Sequence, residues 1–271
     1  MSSNYWGNTG PCREDMMDHL SERQNKILLL ARENGRVEVE ELSNAYKVSP
    51  QTIRKDLNEL CDKQLLQRVH GGAIVGTGIE NVSYEARRLL APEAKKAIGI
   101  QAARLILDNS SLLINIGTTT EQVAHSLADH RGLLVITNNI NAVEIMKNFL
   151  GIELIIAGGQ VRRSDGGIVG VAAVDFINQF KVDYAVIGVS AIDEDGSLLD
   201  FDFREVRVAQ AIIENARHVI LVADKMKLQR TAPIRIGHIS QIDTIVCDEI
   251  LPQKLQQICE NSGVSVVIAS P

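Results

Sequence analysis

Seven short apolar runs, spaced by segments of helical periodicity, constrain this chain more than anything else in it. They are Leu112 to Ile116, Leu133 to Thr137, Glu153 to Gly159, Tyr184 to Ser190, His218 to Ala223, Thr244 to Asp248 and Val264 to Ala269. Most are continuously apolar rather than alternating, the pattern of strands covered on both faces. Helices are expected between them, over Thr120 to Ala128, Ala142 to Leu150, Ala173 to Gln179, Phe203 to Ala216 and Pro252 to Asn261. Alternation of this kind builds a mainly parallel, doubly wound α/β sheet, because parallel strands need crossover helices that pack back onto the sheet. Small ligands sit at the strand ends of such sheets.

The 271 residues suffice for that domain and a second one. No apolar run reaches 18 residues and no leader pattern opens the chain, so a cytoplasmic protein with no membrane partner is expected. The four cysteines, Cys12, Cys61, Cys247 and Cys259, lack metal-ligand spacing, and neither a metal nor a cofactor is expected.

The remaining domain lies ahead of the sheet. Ser49 is a good N-cap, Pro50 suits the first helical position, and Ile53, Leu57 and Leu60 form a buried stripe over Ser49 to Leu60. Gln51, Thr52, Arg54 and Lys55 then fall on the outer side of the first turns, where side chains reach bases and phosphates if the helix enters a major groove. Two helices are expected before it: Ser21 to Asn34, with Ile27, Leu30 and Ala31 inside and Gly35 as its stop, and Val37 to Val48, built on Leu42 and Ala45. The stretch Leu66 to Val75, broken at Gly71-Gly72, reads as a wing hairpin. Periodicity alone also allows a trihelical module that packs against a protein. Residues 21–75 carry nine Lys and Arg against eight Asp and Glu, and the rest carry nineteen against twenty-six. The module is the less acidic part without being a basic block. Residues 1–19 read as a disordered tail, 20–75 as the first domain, 76–91 as a linker leading into helical spacing, and 92–271 as the second domain.

Three loops and one lysine at strand ends are candidates for chemistry. Asn115 to Gln122 sets a glycine and three threonine hydroxyls before a helix N-terminus, which suits phosphate but equally suits simple capping. Asn138 and Asn139 offer amides to sugar or glycerol hydroxyls, or cap the next helix. In Ala157 to Gly170, Gly158 and Gly159 allow close backbone approach and Asp165 heads a tight turn. Lys225 closes another strand and can face a ligand or the solvent.

The segments SPQTIRKDLNEL and RVHGGA together resemble the winged helix-turn-helix of the DeoR family of bacterial repressors, and residues 83–268 resemble that family's sensor domain. The resemblance implies a sensor related in fold to ribose-5-phosphate isomerase, with phosphorylated sugars or polyols as inducers. It implies DNA contacts from Ser49, Gln51, Thr52, Arg54, Lys55, Arg68 and His70 to double-stranded operator DNA. It places Gly117, Thr118, Thr119 and Thr120 on the phosphate, and Asn138, Asn139, Gly158, Gly159, Asp165 and Lys225 around the ligand. Glycerol 3-phosphate is the inducer it points to, with another phosphorylated sugar such as fructose 1-phosphate as the alternative. A homodimer or homotetramer is expected, since a dimer sets two recognition helices about one DNA turn apart. No enzyme activity is expected; an isomerase would need a carboxylate base, for which Asp165 and Glu205 are the candidates.

Overall fold

The computed structural model describes residues 20–34, 36–63, 65–69, 71–74 and 84–270. The proposed tail, Gly35, His70 and the first part of the proposed linker lie outside the described residues. The chain divides into two compact units at Val75/Gly76.

In the first unit, α1 (Glu22–Asn34), β1 (Arg36–Glu38), α2 (Val39–Tyr46) and α3 (Pro50–Asp62) precede a hairpin of β2 (Gln67–Val69) and β3 (Gly72–Ile74). The second helix starts two residues later than its expected start at Val37. Val37 and Glu38 instead extend and pair with Ala73 and Gly72, giving an antiparallel sheet in the order β1-β3-β2. A β-branched valine beside a hairpin finds a ladder that periodicity alone cannot reveal. Two core assignments also change. Leu28 is buried in α1 where Leu30 is only half-buried, and Val39 joins Leu42 inside while Ala45 is exposed. Ile53, Leu57 and Leu60 are fully buried as their spacing requires, each contributing about 1.5–3 kcal/mol over exposure. Gly72 is obligatory, because a β-carbon there would lie 2.0 Å from the Val37 carbonyl oxygen.

The second unit opens with α4 (Tyr84–Leu89) and α5 (Pro92–Ala103). Residues 84–89, expected within the linker, are thus helical, and Tyr84 donates to Glu121 at 2.9 Å. Pro92 lacks an N–H and Ala91 turns left-handed (φ 45°), which separates the two helices. Then follow β4 (Ser111–Ile114), α6 (Thr118–Ser126), β5 (Leu133–Thr137), α7 (Ile140–Met146), β6 (Ile152–Ile156), a short hairpin of β7 (Gln160–Val161) and β8 (Ile168–Val169), and α8 (Val171–Ile177). The chain continues through β9 (Val182–Ile187), β10 (Ala191–Ile192), β11 (Ser197–Asp200), α9 (Phe203–Glu214), β12 (Ala216–Val222), β13 (Ile234–His238), β14 (Thr244–Cys247), α10 (Gln253–Ser262) and β15 (Ser265–Ile268).

All seven apolar runs enter one parallel sheet, in the order β15-β14-β12-β9-β4-β5-β6. Its two faces are both covered. Leu112 and Ile114 face the layer of Ile98, Val123 and Met146, whereas Leu113 faces that of Ile177, Ala209 and Leu255. Strand order reverses between β4 and β9, so the loops leaving those two strands part and open a crevice. A small antiparallel sheet, β10-β11-β13, stands beside it. Among the described residues no helix is long and apolar enough to cross a membrane.

Candidate DNA-binding and ligand sites

The start of α3 is built by its own cap. Ser49 Oγ accepts from the Thr52 backbone N–H at 3.2 Å and lies 2.9 Å from Thr52 Oγ1. These two hydroxyls therefore hold the first turn together, while Gln51, Arg54 and Lys55 project into solvent. Arg68, on β2, is also exposed. The rear of α3 carries a polar clasp that spacing did not announce. Asp56, on the helix's inner side, receives Arg23 Nε at 2.6 Å and Nη2 at 3.2 Å, and Glu59 receives Gln24 Nε2 at 2.5 Å. Ser21 and Gln24 exchange side-chain and backbone bonds of 2.9 and 3.2 Å, the capping-box pattern that fixes where α1 begins. The Ser21-x-x-Gln24 spacing is the signal by which that start is legible. The orientation of the outer face of α3 thus depends on α1 through a charged pair as well as through apolar packing.

In the second unit, the loops leaving β4 and β9 line one cleft with Asp200, Glu205, Arg87 and Lys227. Gly117, at φ 146°, precedes the first turn of α6 and lets the chain double back. Thr120 is fully buried and donates to the carbonyl oxygens of Asn115 and Gly117 at 2.8 and 2.7 Å, so its proton serves the loop. Thr118 and Thr119 are buried too, yet among the described residues their hydroxyls take no protein partner. They remain available to a ligand, together with the N–H groups of the helix start.

Positive charge gathers at this end. Lys95 is 4% exposed and donates to the Arg87 carbonyl oxygen. Burial pulls Lys95 down to about 8 and Lys227 to about 7, with Asp224 opposing, Arg87 and Arg230 repelling both, and Lys95 also repelling Lys227. Buried Arg87 Nε and Arg230 Nη2 have no acceptor. Several cations and two idle donors in a desolvated space are chemically suited to an anionic group.

Lys225 is not part of it. Asp224 caps the following 3-10 turn by accepting from Met226 N at 3.1 Å, and this turn sends Lys225 outward to Glu249 at 3.3 Å. Lys227, two residues on, takes the inward position, a distinction that depends on the handedness of one turn.

Five other expected ligand residues also lie away from the cleft lining, and four of them have a structural occupation. Asn139 caps α7 through Asn141 N and Ala142 N at 2.9 and 3.2 Å. Asn138 Nδ2 donates to the Ile168 carbonyl at 3.1 Å, although its Oδ1 stays buried and unpartnered. Gly159 admits β8, since a β-carbon would approach Ile168 Cγ2 to 3.0 Å, while Gly158 faces open space. Asp165, likewise outside the lining, accepts from Arg162 at 2.7 and 2.9 Å and from Arg87 at 3.2 Å, and these arginines overcome its burial to hold it below the usual carboxylate range.

In the same lining, Glu205 accepts from Arg162 Nη2, and Asp200 accepts from Ser190 Oγ at 3.1 Å and the Phe201 N–H at 2.6 Å. Burial and the neighbouring Asp200 push Glu205 up to about 8. Among the described residues no group of His, Cys, Asp and Glu is arranged to hold a metal.

Comparison with known proteins agrees with this architecture. Residues 23–77 match the DeoR-like helix-turn-helix domain, and 90–249 the DeoR C-terminal sensor domain. The chain is 44% identical to the glycerol-3-phosphate regulon repressor of Escherichia coli (strain K12), over 88% of this chain and 94% of that one. Its Haemophilus influenzae namesake is 44% identical over 84% and 89%. The HTH-type transcriptional repressor CsqR of E. coli is 35% identical over 91% and 94%. Among solved structures, ribose 5-phosphate isomerase A of Methanocaldococcus jannaschii aligns over 51% of this chain and 54% of that one, at 15% identity and a TM-score of 0.38, a likeness that bears on neither activity nor ligand. With both of the family's domains matched and close relatives aligned over most of its length, the chain is a member of the DeoR family of helix-turn-helix regulators.

Proposed function

We propose that this protein represses genes of glycerol 3-phosphate metabolism and is released from its operator when glycerol 3-phosphate enters the cleft of its sensor domain. The observation that carries the ligand half is the set of idle donors in one cleft region: Thr118 and Thr119 hydroxyls beside a helix start, with Arg87 and Lys227 close by. A phosphate dianion satisfies all of them at once. Gly117 lets the backbone fold around it, and Lys227 supplies the charge expected from Lys225. The choice of glycerol 3-phosphate rests on the 44% identity to repressors of that regulon.

On the DNA side, Gln51 and Arg54 read base edges while Lys55 and Arg68 meet phosphates, in a homodimer or homotetramer on a palindromic site. The protein acts as a cytoplasmic regulator without catalysis. Asp165 is neutralised by two arginines and lies outside the cleft lining, and Glu205 is tied to Arg162.

Titration of an operator complex with glycerol 3-phosphate tests the reading. The wild type dissociates from DNA. The double substitution Thr118→Val and Thr119→Val keeps volume and loses two hydrogen bonds to a charged group, each worth about 1.5–3 kcal/mol, so it stays bound at wild-type inducer levels. Release of that variant at the wild-type concentration defeats the assignment of the loop, and release by fructose 1-phosphate alone defeats the named inducer.

A further inference from the structure

The cleft lining carries both signs of charge: Thr118, Thr119, Arg87 and Lys227 share it with Asp200 and Glu205. Carboxylates that are 5% and 8% exposed are costly to desolvate. They are nonetheless held firmly, Asp200 by Ser190 Oγ and the Phe201 N–H, and Glu205 by Arg162, which is itself fixed by Asp165 and Asp202. Each contact uses only part of the acceptor capacity. Glu205 Oε1 takes no hydrogen bond among the described residues, although the residue is more than nine-tenths buried. Two independent features therefore call for a ligand in this cleft: unpaired donors and an unfilled carboxylate acceptor in one lining.

We propose that Asp200 and Glu205 form the selective part of the cleft, bonding to the hydroxyls of a monophosphorylated polyol or sugar and excluding any ligand with a second negative charge. The inference rests on reading the cleft as a phosphorylated-ligand site. Hydroxyl groups can bond to both side chains without bringing charge, whereas a carboxylate or a second phosphate would face the Asp200 carboxylate in a poorly solvated space. Because burial and Asp200 favour the protonated form of Glu205 near neutral pH, the pair accepts from one hydroxyl and donates to another. That suits neighbouring hydroxyls on a carbon chain. Arg162 positions Glu205 and is not itself part of the lining.

The test measures binding to the full chain by calorimetry, with glycerol 3-phosphate, 3-phosphoglycerate and inorganic phosphate as probes. The wild type should bind glycerol 3-phosphate more tightly than inorganic phosphate, and 3-phosphoglycerate no better than inorganic phosphate. Glu205→Leu removes both the acceptor and the proton it offers at nearly constant volume, and Asp200→Asn keeps an acceptor for Ser190. Each should weaken glycerol 3-phosphate by about 10- to 100-fold, leave inorganic phosphate at least as tightly bound as before, and narrow the gap to 3-phosphoglycerate. The proposal is overturned if the wild type binds 3-phosphoglycerate as tightly as glycerol 3-phosphate, binds glycerol 3-phosphate no better than phosphate, or if folded variants keep the wild-type preference. The wild-type comparison decides the matter even if neither variant folds. Binding of none of the three probes removes the reading of the cleft as a glycerol 3-phosphate site, whereas binding without discrimination removes only the selective role of Asp200 and Glu205.

Discussion

Replacing Arg162 with methionine removes the cation at the centre of three carboxylates while nearly preserving length and volume. The side chain is 13% exposed and donates to Asp165 at 2.7 and 2.9 Å, to Asp202 at 3.0 Å and to Glu205. Removing one partner of a buried ion pair costs about 3–5 kcal/mol. Two of the three carboxylates keep another cation: Asp202 retains Arg204 at 2.8 Å, and Asp165 retains Arg87 at 3.2 Å. The expected loss is therefore at the lower end, about 3 kcal/mol near pH 7. Glu205 has no such replacement, and this gives the effect a pH signature. Its folded pKa, about 8, lies above its unfolded value, so its contribution is full at low pH and is lost as pH rises through the folded value. Without Arg162 that folded value climbs further. Wild type and variant should run parallel below about pH 8 and diverge above it, by up to about 1.4 kcal/mol per pH unit, as the wild type levels off and the variant keeps losing. Urea unfolding followed by circular dichroism at about pH 6, 7 and 9 measures both effects. A loss under about 1 kcal/mol at neutral pH, or curves still parallel at about pH 9, refutes the hub role of Arg162.

Three further outcomes are expected. Gly72→Ala places a methyl group 2.0 Å from the Val37 carbonyl oxygen, so it should break the β1-β3 pairing and abolish operator binding in a mobility-shift assay, while the thermal response of the second unit to ligand persists. Lys227 has a folded value lowered to about 7, so a bound phosphate that keeps it charged must take up a proton above that pH; glycerol 3-phosphate affinity should fall by up to about tenfold per unit above about pH 7, and Lys227→Met should flatten the slope. Arg54→Ala should cost about 1–3 kcal/mol of operator affinity and relax sequence preference, and Lys55→Ala should weaken all sequences alike and lower the salt slope by about one per site; unchanged binding in both would mean that α3 presents another face.

The sheet was legible because its strands are buried on both faces, which writes a continuous apolar run into the chain wherever one crosses the core. The same cause blurred the boundaries. Ile116 and Val189 are buried as well, so the runs after β4 and β9 read on into the loops that line the cleft. The small sheet β10-β11-β13 left no comparable signal, since Ala191–Ile192 is too short for a period and Ser197–Asp200 is buried throughout. Strand β1 was hidden differently: Val37-Glu38-Val39 fits a helix start locally, and only the wing offers it a ladder.

Sequence alone determined α3, its cap and its stripe, the alternating α/β plan, and the threonine loop at a helix start, because all of these depend on neighbours within one or two turns. Tertiary structure decided which side chains share the cleft. Arg87, Thr119, Asp200, Glu205 and Lys227 come from separate elements and meet only because strand order reverses between β4 and β9. It also decided that Lys227 faces inward and Lys225 does not, and that Asp165 is spent on Arg162 and Arg87. Asp56 is held by a partner 33 residues away in α1. A charge's role is set by what folding brings within a few ångströms of it, and residue spacing along the chain carries no record of that distance.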